Sequence, residues 1–426
     1  MPALGWDSVT VPGAVSGWAA LSERFGRLPF ATLFRPAIGY AREGFLVTPH
    51  VATLWAEAPR RFRGFREFER TYLPGGRAPA VGSLVRFPDL ARTLEAIAET
   101  RGKTFYDGEI ARLIAAAARA EGGALTEDDL ARHTTSWVEP IGIDGFGARL
   151  HELPPNGQGL AALVALGILS RLPIGRHGPD HPETVHLQIE AMKIAFAECH
   201  AHLADPANMR VAVEDLLAPD HLARHAKSIR VDRASDARPF PPPDHGTVYV
   251  SAADRDGGMV SLIQSNYLGF GSGVVVPKTG ISLQNRGLGF SLDPRHPNCV
   301  AGGALPYHTI MPGFVTRGGD AVMSFGVMGG HMQPQGHVQL VLRTVLYNQN
   351  PQAACDAPRW HVTERSQVAL EPAFPPAVAK DLARRGHRLV PRPRKALFGG
   401  AQIVHKLAHG YCAASDARKD GQAAGS

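Results

Sequence analysis

The sequence predicts an α/β protein whose helices lie mostly in the first part and whose strands lie mostly after residue 246. Three observations carry this prediction. Helical patterns bounded by capping residues fill the chain up to about residue 230, a proline-rich run follows, and apolar alternation begins directly after it. The 426 residues, 44% hydrophobic and 20% charged, suffice for one large α/β domain and also allow two or three smaller ones.

The first helices are recognised by their end signals. The segment "SGWAALSERFG" begins with Ser16 as an N-cap candidate and ends on Gly26. The segments "FPDLARTLEAIAET" and "DGEIARLIAAAARAEGG" follow in the same style, and the second ends on two glycines. In "TEDDLARHT", Thr126 and Asp129 have the spacing of a capping box. These segments predict a series of short helices.

The next segment predicts a strand, a turn and a buried helix. "ARLHE" reads as the strand, "PPNG" as the turn, and residues 160–172 as a helix that is apolar on all sides. "PETVHLQIEAMKIAFAECHAHLA" predicts a further helix with Pro182 near its N-terminus. "LLAPDHLARHAKSI" predicts the last helix of the first part.

Residues 230–246 form a connector between the helix-rich first part of the chain and the strand-rich second part. They carry charges and four prolines and few apolar residues, so neither a helix nor a central strand is expected. "TVYVSAAD" and "GMVSLIQS" then alternate as strands joined by "DRDG", which predicts a β-hairpin. "GISLQN", "HTIMPGFV" and "DAVMSFGV" are further strand candidates, and "PQGHVQLVLRTVLYN", "PQAACDAPRW" and "PAVAKDLARRGH" are helix candidates.

The junction of Gly246 and Thr247 has two interpretations. A β-branched residue at the start of a strand needs no further explanation. A threonine after a flexible connector can also attack the carbonyl carbon of the preceding residue, which splits the chain and frees its own α-amine as a base. The glycine before it adds no Cβ bulk at the attacked bond. From the residues alone both interpretations stay open.

Charge and cysteine content argue against several classes of protein. The formal charge is +6, and the basic residues are scattered apart from "RRGHRLVPRPRK", which has no interleaved aromatics, so we expect no nucleic-acid partner. The four cysteines are far apart and form no CxxC pair, so a disulfide framework is not expected. No apolar run reaches transmembrane length and the N-terminus lacks a secretory pattern, which predicts no membrane partner and a cytoplasmic location.

Five motifs in one order resemble the γ-glutamyltranspeptidase family, in its γ-glutamyltransferase-like branch. They are "VPGAVSGWAALSERFGRLPF", "GKTFYDGEIA", "PPNGQGLAALVALGIL", "GTVYVSAADRDGGMVSLIQSNYLGFGSG" and "GVMGGHMQPQGHVQ". The resemblance implies the four-layer αββα sandwich of N-terminal-nucleophile (Ntn) hydrolases. It also implies a large chain, residues 1–246, and a small catalytic chain, residues 247–426, that form one interlocked domain after self-cleavage between Gly246 and Thr247.

The same resemblance assigns the catalytic residues. Thr247 is expected to be the nucleophile that forms an acyl-enzyme with a γ-glutamyl or similar amide such as glutathione. Ser265 is expected to hydrogen-bond the nucleophile, and the N–H groups of Gly329 and Gly330 to hold the oxyanion. Water or an amine would then take the acyl group. The resemblance implies neither a metal nor an organic cofactor.

A second group of residues is expected to bind substrate. Its members are Asn266, Asn285, Arg286, His308 and Thr309. His308 and Thr309 stand where the family usually has a pair of serines that grip the substrate carboxylate, so Thr309 keeps the hydroxyl and His308 departs from the pattern.

The segment "LQNRGLGF" departs from the glutathione enzymes. Gly289 stands in the place of their acidic ligand for the substrate ammonium, and Arg286 would repel an ammonium. A glutaryl or other dicarboxylate amide, as in cephalosporin-type acylases, is therefore the alternative substrate to a γ-glutamyl amide.

A third alternative is a truncated, non-catalytic family member. Family members carry a segment before the "VPGAVSGW" motif that this chain lacks, so we expect unpaired sheet edges and low activity. The histidines His221 and His225 have helical spacing but no following glutamate of the zincin pattern, and the sequence assigns no metal to them.

Overall fold

The computed structural model describes residues 1–236, 247–363 and 367–425. The chain divides into two compact units. Unit 1 comprises Met1–Trp137 and Leu268–Leu288, and unit 2 comprises Val138–Tyr267 and Gly289–Ser426. Both units therefore draw residues from each side of the predicted cleavage position. The division into chains 1–246 and 247–426, assembled as one interlocked domain, stays a prediction.

The described residues form sixteen α-helices and fourteen strands, numbered in chain order. The helices are α1 (Ala14–Phe25), α2 (Phe30–Glu43), α3 (Pro49–Trp55), α4 (Ala58–Arg61), α5 (Arg66–Tyr72), α6 (Pro88–Glu99), α7 (Lys103–Tyr106), α8 (Glu109–Ala120), α9 (Glu127–Ala131), α10 (Gly159–Leu169), α11 (Pro182–His202), α12 (Val213–Leu216), α13 (Pro219–Ser228), α14 (Met332–Val341), α15 (Pro351–Asp356) and α16 (Pro376–Arg384). The strands are β1 (Phe45–Leu46), β2 (Leu84–Val85), β3 (Ile141–Gly145), β4 (Ala148–Glu152), β5 (Thr247–Ala253), β6 (Met259–Ser265), β7 (Val275–Val276), β8 (Ile281–Ser282), β9 (Gly313–Arg317), β10 (Asp320–Met328), β11 (Trp360–Val362), β12 (Val368–Leu370), β13 (Gly400–Leu407) and β14 (Gly410–Ser415).

Unit 1 consists of helices α1 to α9 and two short strand pairs, β1 with β2 and β7 with β8. The predicted capping box of α9 is confirmed, since Thr126 and Asp129 cap each other's backbone N–H groups. The predicted N-cap of α1 is wrong. The helix begins at Ala14 after Gly13, and the Ser16 hydroxyl instead donates to the Gly13 carbonyl inside the first turn. Gly26 does end this helix, as predicted.

Unit 2 is built on a six-stranded antiparallel sheet in the order β14-β13-β10-β9-β4-β3. The predicted hairpin of β5 and β6 is confirmed and lies against β10. Alternation along β10 separates the two faces of the sheet. Ser324 and Gly326 face the hairpin, where they contact Ser251 and the ring of Tyr249. The intervening Phe325 packs on the opposite side against α14.

Helices α10, α11 and α14 form the layer on that opposite side. Every residue of α10 is buried, as its all-round apolar pattern predicted. Gly167 lets α10 approach α13, because a Cβ there would come within 2.7 Å of the Leu222 side chain. Unit 2 therefore stacks helices, a six-stranded sheet and a hairpin.

Some strand boundaries differ from the prediction. Strand β9 begins at Gly313, so residues 308–312 of the predicted strand "HTIMPGFV" run outside it. Strands β3, β13 and β14 were not predicted, since buried and polar residues do not alternate regularly along them. Among the described residues, no helix has both the length and the apolar run needed to cross a membrane.

Candidate active site

Thr247 and Ser265 face each other at the open end of the β5–β6 hairpin. Thr247 is the first residue of β5, and its register partner is Ser265, the last residue of β6. The Thr247 Oγ1 hydroxyl donates to Ser265 Oγ at 3.1 Å, and the backbone N–H of Tyr267 donates to the same oxygen at 2.8 Å. Thr247 is only 9% exposed. A hairpin that pairs its two end residues thus fixes a threonine hydroxyl against a second hydroxyl.

Gly246 lies outside the described residues, so the predicted scissile bond is known only from its Thr247 side. Asn266 follows Ser265 directly and is half-buried.

Gly329 and Gly330 form the turn between β10 and α14. Both have positive φ, +132° and +56°. A Cβ on Gly329 would lie 3.0 Å from the Gly399 Cα, so only glycine fits both the conformation and the space. The two carbonyls accept hydrogen bonds from Met332 and Gln333 at the start of the helix. Among the described residues, the two N–H groups have no acceptor.

Thr247 lies at the same end of the sheet as this turn. Ser251 contacts Ser324, and two residues earlier Tyr249 contacts Gly326, two residues later on β10. Two residues farther along each strand in the same directions, β5 reaches Thr247 and β10 reaches its last residue, which Gly329 follows. The hairpin therefore brings the threonine to the glycine turn.

Gln158 connects the glycine turn to the segment that holds His308 and Thr309. Its Nε2 donates to the carbonyl of Gly330 at 2.9 Å and also to the carbonyl of Thr309. Its Oε1 accepts a hydrogen bond from the Tyr307 hydroxyl at 2.9 Å. Burial raises the pKa of Tyr307 well above its ordinary value, so this hydroxyl keeps its proton and remains a donor. All the hydrogen-bonding atoms of the Gln158 amide are engaged in fixing this corner.

His308 and Thr309 lie beside the N-terminal end of α10. The backbone N–H of Gln158 donates to the carbonyl of His308 at 2.9 Å, and the N–H of His308 donates to the carbonyl of Asn156 at 3.0 Å. Thr309 is buried and His308 is half-buried. Gln158 therefore links this predicted pair to the carbonyl of Gly330.

Sequence reasoning missed Gln158, although it stands in the quoted motif "PPNGQG". A buried pair on the helix side of the sheet was also missed. His337 Nδ1 lies 2.6 Å from Glu152 Oε1, and both side chains are fully buried. Burial raises the pKa of Glu152, and the neighbouring His337 acts in the opposite direction. These residues are far apart in sequence and carry no local pattern.

Asn285 and Arg286 belong to unit 1, where they lie next to each other in the turn after β8. The Asn285 amide is used inside that unit, since its Nδ2 donates to the Ala3 carbonyl and its Oδ1 accepts from the Leu268 N–H. Arg286 is 4% exposed. Gly289 belongs to unit 2, where a Cβ would lie 2.4 Å from the Tyr307 carbonyl oxygen. An acidic side chain at position 289 would therefore require this segment to move.

Comparison with known proteins identifies the family of the chain. The model of the gamma-glutamyltranspeptidase family matches residues 1–426. The chain belongs to the gamma-glutamyltranspeptidase family. The predicted family and the predicted fold class, the α/β sandwich of Ntn hydrolases, are confirmed. Members of this family compared below include amidohydrolases and acylases.

Three family members illustrate the likeness. A cephalosporin acylase from Bacillus halodurans has 46% identity and a TM-score of 0.95, over 99% of this chain and 79% of its own. An oxamate amidohydrolase proenzyme of Klebsiella pneumoniae is 37% identical over 98% of this chain and 81% of its own length. A glutathione hydrolase-like proenzyme of Bacillus subtilis is 33% identical over 100% and 82%.

Proposed function

We propose that this family member is a self-cleaving amidase whose nucleophile is Thr247. The observation that carries the proposal is the 3.1 Å contact between Thr247 Oγ1 and Ser265 Oγ at the first residue of a strand. In the first step, Thr247 Oγ adds to the Gly246 carbonyl carbon, and the peptide C–N bond breaks to leave an ester. The α-amine of Thr247 is freed as this bond breaks and takes the hydroxyl proton. Water then cleaves the ester, which releases the Gly246 carboxylate and divides the chain.

The same hydroxyl then acts on substrate. The α-amine of Thr247 takes the Oγ proton while Oγ attacks the amide carbon, and the proton passes to the leaving amine. The acyl group is held as a threonyl ester until water or an amine attacks it. Ser265 accepts the Thr247 hydroxyl hydrogen in the resting state and keeps the oxygen directed along the hairpin.

The N–H groups of Gly329 and Gly330 are proposed to bind the oxyanion of each tetrahedral intermediate. Their carbonyls are engaged, their N–H groups are without an acceptor among the described residues, and the turn is fixed through Gln158. An oxyanion donor of this kind contributes about 3 kcal/mol to transition-state stabilisation.

The acyl group is proposed to carry a carboxylate and no ammonium. The observation behind this is the space at Gly289, where the resemblance puts the acidic ligand of an ammonium and where a Cβ would lie 2.4 Å from the Tyr307 carbonyl oxygen. Oxamate, named for the Klebsiella relative, is an amide with a free carboxylate and no ammonium. The γ-glutamyl amides predicted first remain the second candidate, and the name of the Bacillus subtilis relative favours them.

The test begins with a denaturing gel of purified protein. We expect two bands for the natural chain and one for Thr247→Ala, while Thr247→Ser cleaves. A natural chain that stays in one piece and forms no acyl adduct would instead identify a non-catalytic family member.

The substrate class is tested on the cleaved protein with glutaryl and γ-glutamyl anilides of the same leaving group, together with oxamate. We expect a higher kcat/KM for the glutaryl anilide than for the γ-glutamyl anilide. A clear preference for the γ-glutamyl anilide contradicts the proposed acyl group but leaves the threonine mechanism intact.

A further inference from the structure

Three side chains of the kind that bind metals meet on the surface of unit 2, with His202 at their edge, in a cluster that the proposed reaction does not use. Glu198 and His202 lie one turn apart on α11, and His221 and His225 lie one turn apart on α13. We refer to these four residues as the His/Glu cluster. The i, i+4 spacing on both helices directs the two pairs toward each other across the helix contact.

The distances within the cluster match one shared metal ion. His221 Nε2 and His225 Nε2 are 3.1 Å apart, and each lies 3.3 Å from a different oxygen of Glu198. Ligand atoms bound to one tetrahedral zinc at 2.0 to 2.1 Å are separated by about 3.3 Å. The three side chains already have this separation, so an ion would enter without a change of backbone.

His202 lies at the edge of the cluster, where its Nε2 is 3.9 Å from Glu198 Oε2. The three close donors are the imidazoles of His221 and His225 and the carboxylate of Glu198. Two imidazoles and one carboxylate are a donor set suited to zinc, and a water molecule would complete the tetrahedron.

The cluster is accessible to an ion and yet shielded. The four side chains are between 19% and 32% exposed, so solvent reaches them while the helices cover most of their surface. A cation also lies beside the cluster, since Arg224 is exposed and 3.3 Å from His221 Nδ1. When His221 Nε2 binds a metal, Nδ1 carries the proton, so the exposed arginine turns toward solvent.

We propose that the His/Glu cluster binds one divalent transition-metal ion, with Zn²⁺ the preferred ion. The ion links α11 to α13 and is separate from the threonine chemistry. Because it binds the folded chain, it raises the stability of unit 2 in proportion to the logarithm of free zinc concentration. The sequence assigned no metal to His221 and His225 because no glutamate follows them in the zincin pattern. The carboxylate beside them, Glu198, comes from another helix.

The experiment uses the natural chain, stripped with a chelator and titrated with Zn²⁺ against a chromophoric chelator. We expect one strong site per chain, and the intense visible absorption of tetrahedral Co²⁺ when cobalt replaces zinc. His225→Ala and Glu198→Gln should each weaken zinc binding more than about tenfold, since even outer-shell changes cost this much.

Two further variants separate this site from general effects of histidine loss. His200→Ala removes an exposed neighbour on α11 that is outside the cluster, and it should leave zinc affinity unchanged. Arg224→Ala removes the nearby positive charge and should tighten binding. Equal zinc affinity in the natural chain, His225→Ala and Glu198→Gln, with all three folded by circular dichroism, would overturn the proposal.

Discussion

At the residue scale, the Thr247 hydroxyl donates a hydrogen bond to the hydroxyl oxygen of Ser265. This oxygen accepts from both the Thr247 hydroxyl and the Tyr267 N–H, so a single atom joins the proposed nucleophile to the strand end. Hydrogen bonds of this kind contribute about 1 kcal/mol to the state in which they form.

Ser265→Ala should therefore slow both self-cleavage and amide turnover, by about five- to tenfold for a loss of about 1 to 1.5 kcal/mol. The rate of band splitting on denaturing gels and single-turnover kinetics measure the two effects. Ser261→Ala is the matched control, because it removes a serine of the same strand that contacts Tyr249 instead. Equal rates for both variants would show that Ser265 has no special part.

Gln158 is the second residue whose effect should be local. Gln158→Glu keeps the acceptor for Tyr307 but loses the donor to the Gly330 carbonyl. We expect kcat to fall about tenfold or more with little change in KM, because the oxyanion turn is needed in the transition state and not for binding.

The same Gln158→Glu variant places a buried carboxylate against the carbonyls of Thr309 and Gly330, so it should also unfold at a lower urea concentration. Gln158→Ala leaves buried polar groups without partners and should cost about 1 to 3 kcal/mol of stability as well. A normal kcat in Gln158→Glu would show that Gln158 does not support the oxyanion turn.

At the element scale, a buried polar network ties the start of the connector to helices α11 and α16. Lys193 and Glu190 form an ion pair at 2.8 Å, and Glu190 also accepts the backbone N–H of Ser235 at 2.9 Å. His186 contacts the Arg230 carbonyl at 2.8 Å. His387, which follows α16, completes the network. The described end of the connector is therefore held by side chains of the core.

This network should make the protein sensitive to acid. His387 Nε2 lies 2.8 Å from His186 Nδ1, and burial together with Lys193 lowers the pKa of His387 to about 3. In the unfolded chain His387 takes up a proton near pH 6.5, whereas in the folded chain it stays neutral until about pH 3. The stability of the fold is therefore unaffected by this group above pH 6.5 and decreases as the pH falls from 6.5 toward 3. The free energy of unfolding should decrease by up to about 1.4 kcal/mol per pH unit from this group.

Urea unfolding at several pH values between 7 and 4 measures this slope. His387→Gln should reduce the slope, whereas His409→Gln, in the exposed turn between β13 and β14, should not. If His387→Gln leaves the pH dependence of the free energy of unfolding unchanged, His387 is not the cause of the acid sensitivity.

At the scale of the whole molecule, the two compact units do not coincide with the two chains expected after cleavage. Unit 1 contains Leu268–Leu288 from the second chain, and unit 2 contains residues 138–236 from the first. Each unit would therefore keep a hydrophobic core built by both chains, as in the cluster of unit 1 that includes Ile114 and Val276.

The cleaved chains should consequently remain together under native conditions. We expect one peak in size-exclusion chromatography that gives two bands on a denaturing gel, and separation only in urea. Two native peaks, each with one chain, would contradict this expectation. The intact Thr247→Ala chain provides the reference elution volume.

The sequence predicted those elements whose determining residues lie close together in the chain. The hairpin with Thr247 and Ser265 at its ends followed from alternation and a four-residue turn, and α10 followed from an apolar run. The N-cap predicted at Ser16 was wrong because the N-cap is Gly13, three residues earlier, and the helix begins at Ala14. Strands β13 and β14 were missed because the pairing of β13 with β10, and of β14 with β13, is not visible in their own residues.

The sequence by itself determined the family, the α/β class and the position of the Gly246–Thr247 junction, because these depend on ordered motifs and on short-range periodicity. Only the tertiary structure decided that Gln158 holds Gly330 and that Glu198 meets His221 and His225. Those contacts join residues more than twenty positions apart, and their positions are set by the packing of helices and sheets that no local pattern encodes.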